Sequence, residues 1–367
     1  MKVLVIFTGQ LAFDGITQIM LSYYEAMDLG DVQIDFVCCR NVNEKVLSRA
    51  KSVITNFYHL PMRAKNPISY VFKLKKIIKQ NHYDIIHANG SSGLLGLEML
   101  AGFLGGCKVR IAHSHSTSCL FKLMDKIMRP LLHAFCTDRF ACGKDAGKWL
   151  FGKRDFMIIN NAKNLDLLLY NSDMRKSVRE KYNLEDKLVI GHVGTLTDSK
   201  NHMFLIDVFE QIKIKKKKEN AYLILIGDGS LREKIENQIK EYGLENSVLM
   251  MGEITNVAEI IQAVDIMVFP SRFEGLPGVV LEWQIAGIPC VISDAITRDC
   301  AFSELVKFLP LSDGAEKWAD CVLDTKLPDR EKERTALITA AKNAGYDIKE
   351  NARRLKEKYV SLAKKSE

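Results

Sequence analysis

Apolar residues in this chain fall into short unbroken runs, separated by longer stretches in which they recur every three or four positions. The runs lie at 2–8, 33–39, 53–59, 83–88, 108–113, 138–142 and 156–159, and again at 187–193, 221–226, 247–251, 265–270, 289–293 and 307–311. Most are continuous rather than alternating, as in strands covered on both faces of a parallel sheet. The stretches in between have helical spacing, so the pattern predicts two series of βαβ units, each building a doubly wound sheet. A polar segment between Asn161 and Glu185, broken by Asn-Ser and Asn-Leu turns, precedes a fresh strand at Leu188 and separates the two series. The expected fold is therefore α/β: two Rossmann-like domains, 1–165 and 166–344, facing a cleft. Such sheets bind ligands at the carboxyl ends of their strands, which makes the cleft the expected site. Residues 330–365 are charged, with helical spacing and no further strand.

Length and composition fit this picture. At 367 residues, 47% hydrophobic and 26% charged, the chain has the apolar material for two globular cores. The run VLVIFT after Lys2 is too short for a secretory core. The weakly polar stretch from Ser91 to Gly106 contains Glu98 and falls short of the roughly 20 residues that span a bilayer, so it reads as a buried helix. The nine cysteines are scattered without a C-x-x-C pair, several of them inside strand-like runs. They read as small buried hydrophobes in a reducing compartment, and no zinc-ligand spacing is present. These features predict a cytoplasmic protein.

Charge is uneven. Residues 1–160 carry 21 Lys and Arg against 12 Asp and Glu, whereas residues 161–367 carry 31 against 33. A basic first half points to an anionic partner, whether phosphate, nucleic acid or acidic lipid. Lys122, Lys126, Arg129 and His133 form one helical stripe beside Leu120, Phe121, Met124, Ile127 and Met128, although Pro130 is expected to kink that helix. Lys73–Lys79 is a second basic segment, after Val71 and Phe72. Each fits a core-facing helix with a solvated back in the first place, and a helix lying on an anionic membrane in the second. The run 213–218 (KIKKKK) lacks interleaved aromatics and reads as a solvated helix end, so no nucleic-acid partner is expected.

The densest chemical signal is 265–294, DIMVFPSRFEGLPGVVLEWQIAGIPCVISD. A buried strand ends at Pro270, and the loop Glu274-Gly275-Leu276-Pro277-Gly278 opens a helix near Val279. Unpaired amides at that helix start, with the positive end of its dipole, suit a diphosphate. Glu274 falls on the loop lip and Glu282 about one turn into the helix. Two readings stand for them: hydroxyl acceptors for a sugar and a ribose, or ordinary acids favoured at a helix start. Lys200, after the strand that ends before Gly194, is a suitable phosphate counter-charge or else a surface lysine before the Asn201 helix cap. Gly15 lies in the loop after the first strand, and His113 and His115 follow the strand at 108–113.

The segment from PSRFEGLPGVVLE resembles the family-4 glycosyltransferases of the GT-B fold, especially the branch that builds capsular and exopolysaccharides. The resemblance continues through IAHSHST (111–117), RFACGKDAGKWLFG (139–152), INNA (159–162), IGHVGTLTDSKNHMFLIDVF (190–209) and LILIGDGSLREKIE (223–236). It implies retaining transfer of a hexose from a nucleotide-sugar, UDP- rather than GDP-linked, to a saccharide acceptor carried on a lipid. Glu274 would then contact donor-sugar hydroxyls, Glu282 the ribose, and the amides of Gly278, Val279 and Val280 the phosphates. Lys200 would balance the leaving diphosphate, His115 would face the donor sugar, and the Gly194 and Gly15 loops would approach the donor. The final helix, from about Gly345 to 367, would cross back onto the first domain. The family usually has arginine after the glycine equivalent to Gly194; here that residue is Thr195, so either Arg272 or another base compensates, or activity is weakened, or the donor is held differently. No D-x-D pair appears, so no metal is required, and no cofactor is expected beyond the donor itself.

Three rivals share these features in part. A nucleotide-sugar epimerase would use similar phosphate contacts. A dinucleotide oxidoreductase would need G-x-G-x-x-G, but Gly227-Asp228-Gly229 continues as Ser230-Leu231-Arg232. A glycosyltransferase-like subunit without activity is hinted at by Thr195.

Overall fold

The computed structural model describes residues 1–119 and 121–366; Leu120 of the basic helix segment and Glu367 lie outside the described residues. The chain divides into two compact units, residues 1–163 joined by those from Gly345 onward, and Asn164–Ala344. Each is built on one all-parallel sheet.

In the first unit the strands are β1 (Lys2–Phe7), β2 (Gln33–Cys38), β3 (Phe57–His59), β4 (Ile85–Gly90), β5 (Val109–Ser114), β6 (Asp138–Ala141) and β7 (Met157–Ile158), in the order β3-β2-β1-β4-β5-β6-β7. In the second they are β8 (Leu188–Val193), β9 (Ala221–Ile226), β10 (Val248–Gly252), β11 (Ile266–Phe269), β12 (Cys290–Ser293) and β13 (Val306–Leu309), in the order β10-β9-β8-β11-β12-β13. Both sheets reverse direction of growth next to their first strand, so β1 pairs with β2 and β4, and β8 with β9 and β11. At such a switch the loops leaving the two neighbouring strands turn to opposite faces and open a crevice at the carboxyl edge. The loops after β1 and β4, and after β8 and β11, hold most of the residues singled out above.

Strand boundaries follow the apolar runs except where local chemistry intervenes. Val53 and Ile54 do not join β3, because their amides close the Glu44–Ala50 helix on the Ala50 carbonyl at 3.0 and 3.1 Å. The lysine run is the end of a helix: Gln211–Lys215 forms a π-helical turn, and Lys216 pairs with Asp320 at 2.9 Å.

The last helix, Ile348–Ser366, belongs to the first unit. Ile348, Ala352, Leu355 and Tyr359 recur on one face, and all are buried against Val3, Val5, Phe7, Ile85 and Ile111. A segment with no strand of its own thus supplies part of the layer that covers β1, β4 and β5.

The basic helix Lys122–Phe135 runs through Pro130 and presents its faces differently from the sequence expectation. Buried Asp125 accepts the Gly93 amide at 2.7 Å and pairs with Arg129, whose guanidinium lies 5.0 Å from the Trp149 ring centre. Burial and the nearby Arg154, Arg139 and Arg129 push the His133 imidazole down to about 4, so it is neutral at pH 7. The stripe therefore reduces to Lys122 and Lys126, while Phe121, Leu123 and Ile127 are 60%, 74% and 59% exposed. Over its first turns this helix presents apolar residues outward, whereas Leu132 near its end is buried in the core. No described helix is long and apolar enough to cross a membrane.

Deleting core atoms from the final helix tests its structural role. Leu355→Ala, at a position with no exposed surface, should destabilise the first unit by about 2–4 kcal/mol. The urea midpoint of that unit should fall accordingly, whereas an exposed neighbour such as Glu357→Ala should leave it in place.

Candidate active site

In the second unit, the loop after β8 is shaped by close backbone approaches. Gly227, at φ 132°, brings its α-carbon so near the Gly194 carbonyl that an added Cβ would stand 2.2 Å from that oxygen. At Gly229 a Cβ would fall 2.6 Å from the Leu196 oxygen. The Leu196 amide donates to Asp228 O at 3.0 Å, and its carbonyl accepts from Leu231 N at 3.1 Å. The Gly-Asp-Gly turn is therefore a backbone support for the Gly194–Leu196 loop. Asn201 then takes the left-handed conformation (φ 57°), which asparagine tolerates, and turns the chain from Lys200 into the His202–Glu210 helix.

The loop after β11 is fastened to this one. The Arg272 amide donates to Ser199 O at 2.8 Å, Asn201 Nδ2 donates to Pro270 O at 3.2 Å, and the Arg272 guanidinium donates to Asn201 Oδ1 at 3.1 Å. These bonds bring Lys200 and Glu274 together. Lys200 Nζ lies 2.5 Å from Glu274 Oε1 and 4.9 Å from the centre of the Phe269 ring. The contact is one of charge rather than alignment, since Oε1 has no hydrogen-bond partner among the described residues. Both side chains are mostly buried, 20% and 15% exposed, where screening by water is weak and the attraction correspondingly strong.

The Gly278–Ile285 helix begins on Pro277 without a side-chain cap. The Val280 amide already bonds Pro277 O at 3.2 Å, and the Val280 side chain is buried. The amides of Gly278 and Val279, which precede the first intrahelical bond, have no partner among the described residues. Glu282 is partly buried one turn further along, and Thr195 is exposed beside Gly194.

Two buried histidines underlie this loop. His192 Nδ1 donates to Val268 O at 2.8 Å, and its ring packs against His202 and Phe269. Burial, and then Lys200, holds His202 down at about 4, and His192 is also held well below its ordinary range, chiefly by burial.

In the first unit, Gly15 opens the Gly15–Ala26 helix, where Asp14 already caps the amides of Ile16 and Thr17 at 3.1 and 3.2 Å. That carboxylate fills the place a phosphate would take at this helix start. Nothing lies within 4 Å of a Cβ built on Gly15, so the position itself is open.

His115 stands just beyond β5, its amide bonded to Gly90 O at 3.0 Å. Its Nε2 is 2.9 Å from Asn89 Oδ1, and its ring centre is 3.9 Å from that of His113. Behind it runs a buried chain. His113 Nδ1 meets His87 Nε2 at 3.1 Å, His87 Nδ1 meets the Tyr359 hydroxyl at 2.6 Å, and Tyr359 meets the Tyr24 hydroxyl at 3.0 Å. Burial lowers His115 to about 3 and, with His115 nearby, His87 to about 3; burial followed by the neighbouring histidines holds His113 well below its usual range. All three are neutral at pH 7. Asn89, His87 and Tyr359 were not singled out by sequence reasoning, although the polar His87 and Asn89 at alternate positions of the strand IIHANG mark one face of β4 as unusual.

Such histidines couple folding to pH. Their folded pKa lies below the unfolded value near 6.5, so the folded state binds fewer protons. The stability they contribute is complete above about pH 6.5 and is lost as pH falls toward 4 and then 3, by up to about 1.4 kcal/mol per pH unit for each fully buried ring. His87 and His202 have no exposed surface. The urea midpoint should be level from pH 8 to 7 and drop clearly by pH 5; a midpoint unchanged at pH 5 would contradict the burial of neutral rings.

Comparison with known proteins follows the same lines. Residues 174–309 match the family model described as glycosyl transferases group 1. EpsF of Bacillus subtilis (strain 168), described as a glycosyltransferase, is 33% identical over 357 residues, covering 92% of this chain and 91% of its own. A transferase of Escherichia coli, named UDP-Gal:alpha-D-GlcNAc-diphosphoundecaprenol alpha-1,3-galactosyltransferase, is 25% identical over 63% of this chain and 62% of its own. Among solved structures, HepE of Anabaena in complex with UDP superposes with a TM-score of 0.80 over 98% of this chain and 100% of that one, at 18% identity. The likeness to EpsF extends over nearly the whole sequence, well beyond the Glu274 segment, and the chain therefore belongs to the group 1 glycosyltransferases, enzymes of the GT-B fold.

Proposed function

We propose that this enzyme moves a hexose from a UDP-sugar to a saccharide carried on a lipid diphosphate, with retention at the anomeric carbon, in the making of a cell-surface polysaccharide at the cytoplasmic face of the plasma membrane. The observation that carries this reading is the charge pair of Lys200 and Glu274 beside the open amides of Gly278 and Val279. The second unit is read as the donor-binding domain and the first as the acceptor-side domain. UDP is favoured because HepE has been solved with UDP and with UDP-glucose, and the lipid diphosphate because the Escherichia coli relative's name includes one.

In this reading the donor diphosphate rests on the Gly278 and Val279 amides and draws Lys200 to itself. Glu274, released from the ammonium, accepts hydroxyls of the sugar, and Glu282 accepts those of the ribose. As the sugar–phosphate bond breaks, negative charge grows on the leaving diphosphate, and Lys200 with the amides stabilises it without reorganisation. Thr195 adds a hydroxyl but no charge. Arg272, held beside Lys200 by Asn201, supplies the second positive group. The same leaving oxygen takes the proton of the incoming acceptor hydroxyl on the face from which the sugar departs, which accounts for retention. The outward apolar residues of the Lys122–Phe135 helix, flanked by Lys122 and Lys126, fit an anionic membrane surface where a lipid-linked acceptor resides.

Thr195 also favours a second reading, a partner subunit of the same fold without chemistry of its own. Transfer assays on Glu274→Ala and Lys200→Ala separate the two. Each substitution should lower kcat for sugar transfer by about 10²–10³, whereas a subunit without chemistry would show no transfer to lose. Donor consumption without an acceptor would point instead to an epimerase or hydrolase.

Membrane contact is tested with vesicles containing about 30% phosphatidylglycerol. The protein should sediment with them at low salt, and Leu123→Ser combined with Ile127→Ser should release it with transfer to a short soluble acceptor intact. Equal sedimentation by the double variant would remove this helix from the membrane surface.

A further inference from the structure

Arg272, Glu274, Gly278, Val279 and Glu282 all lie on one segment of the second unit, which enters through β11 and leaves through the Gly278–Ile285 helix. A single side chain from outside that segment joins its entry to its exit. Arg330 Nε donates to Ala286 O at 2.7 Å, just past the helix, and its Nη1 donates to Gln262 O and Val264 O at 3.0 and 3.3 Å, just before the strand. Its Nη2 donates to Gln262 Oε1 at 3.1 Å, and the guanidinium lies 4.4 Å from the centre of the Tyr170 ring.

Arg330 is buried, yet its hydrogen bonds go to amide oxygens rather than to a carboxylate. The neighbouring carboxylate, Asp265, is already taken by Arg175, Arg179 and the Val189 amide. The counter-charge for Arg330 is instead the carbonyl ends of two helical turns, Ile261–Ala263 and Gly278–Ile285, where the backbone dipoles are negative. A planar guanidinium reaches both at once, which a point ammonium cannot do.

The exit is shaped to receive it. Ile288 N donates to Trp283 O at 2.8 Å and Gly287 N to Gln284 O at 3.0 Å, so the turn past the helix leaves the Ala286 carbonyl to Arg330. Gly287 has φ 72°, and a Cβ there would stand 3.2 Å from Arg330 Cγ. The opposite end of the helix starts on Pro277 without a side-chain cap. Its direction is therefore set from the body and the far end: Gln284 bonds the body to Cys300, Phe302 and Ser303, and Arg330 bonds the far end to the approach of β11.

We infer that Arg330 is a positioning residue for the donor: by clamping residues 262–264 to Ala286, it fixes the direction in which the Gly278 and Val279 amides point. The inference rests on the reading of those amides as the seat of the donor diphosphate. Hydrogen bonds to a phosphate depend on direction, so a helix released at its far end presents the same amides in poorer alignment. A residue remote from the ligand thus acts on its affinity through the two-turn helix.

Calorimetric titration of the intact protein with UDP tests this. Arg330→Met should weaken UDP binding about tenfold, and Arg330→Lys, which keeps the charge but not the fork, about threefold. Val322→Ala, in the buried core of the same unit, should lower the urea midpoint and leave UDP affinity within about twofold of wild type. Wild-type affinity in Arg330→Met overturns the inference, and so does the same affinity in Arg330→Lys if the methionine variant does not fold. An equal loss of affinity in Val322→Ala also overturns it, because stability alone would then account for the effect; in each of these cases the donor assignment survives. If the wild-type protein binds no UDP, the donor assignment falls and the inference with it.

Discussion

An ammonium held away from water needs an anion, and for Lys200 that anion is Glu274. The ammonium of Lys200 lies over the Phe269 ring, and the Asn201–Pro270 and Arg272–Ser199 bonds tie the two loops together. Charge and geometry are thereby set before any ligand arrives. An anion that enters meets a lysine already in position, and a hydroxyl meets a carboxylate whose Oε1 lacks an aligned partner. Under the proposed function, one diphosphate-linked sugar would satisfy both groups at once, and neither side chain would have to be desolvated afresh.

The sheets were legible because burial on both faces writes itself as continuous apolar runs. Even the weak runs near 57 and 157 mark edge strands. What misled was local. Val53 and Ile54 have β-branched side chains, but their amides close a helix, and propensity cannot see that hydrogen bond. The face of the Lys122–Phe135 helix was misread for a similar reason. Its regular spacing of basic residues gives no sign that Arg129 is drawn inward by Asp125 and Trp149, or that His133 is neutral.

The candidate site was legible where its parts are close in sequence. Glu274, the Pro277 cap and the open amides fall within a few residues of one another, and Lys200 follows its strand by a short loop. The histidine chain was not legible in this way. Asn89 and His115 are 26 residues apart, and His87 and Tyr359 are 272 apart; only the register of β4 against β5 and the docking of the last helix bring them together. Gly227 and Gly229 were visible as glycines but not as supports, because the carbonyls they make room for belong to another loop.

The last helix also has a consequence for synthesis. The second unit is one unbroken stretch, Asn164–Ala344, and is complete before the ribosome reaches Gly345. The first unit lacks Ile348, Leu355 and Tyr359 until the end, so β1, β4 and β5 emerge early with part of their cover missing. At about 5–20 residues per second that interval is on the order of ten to forty seconds. During it, the nascent first unit leaves exposed the apolar surface that the last helix later covers.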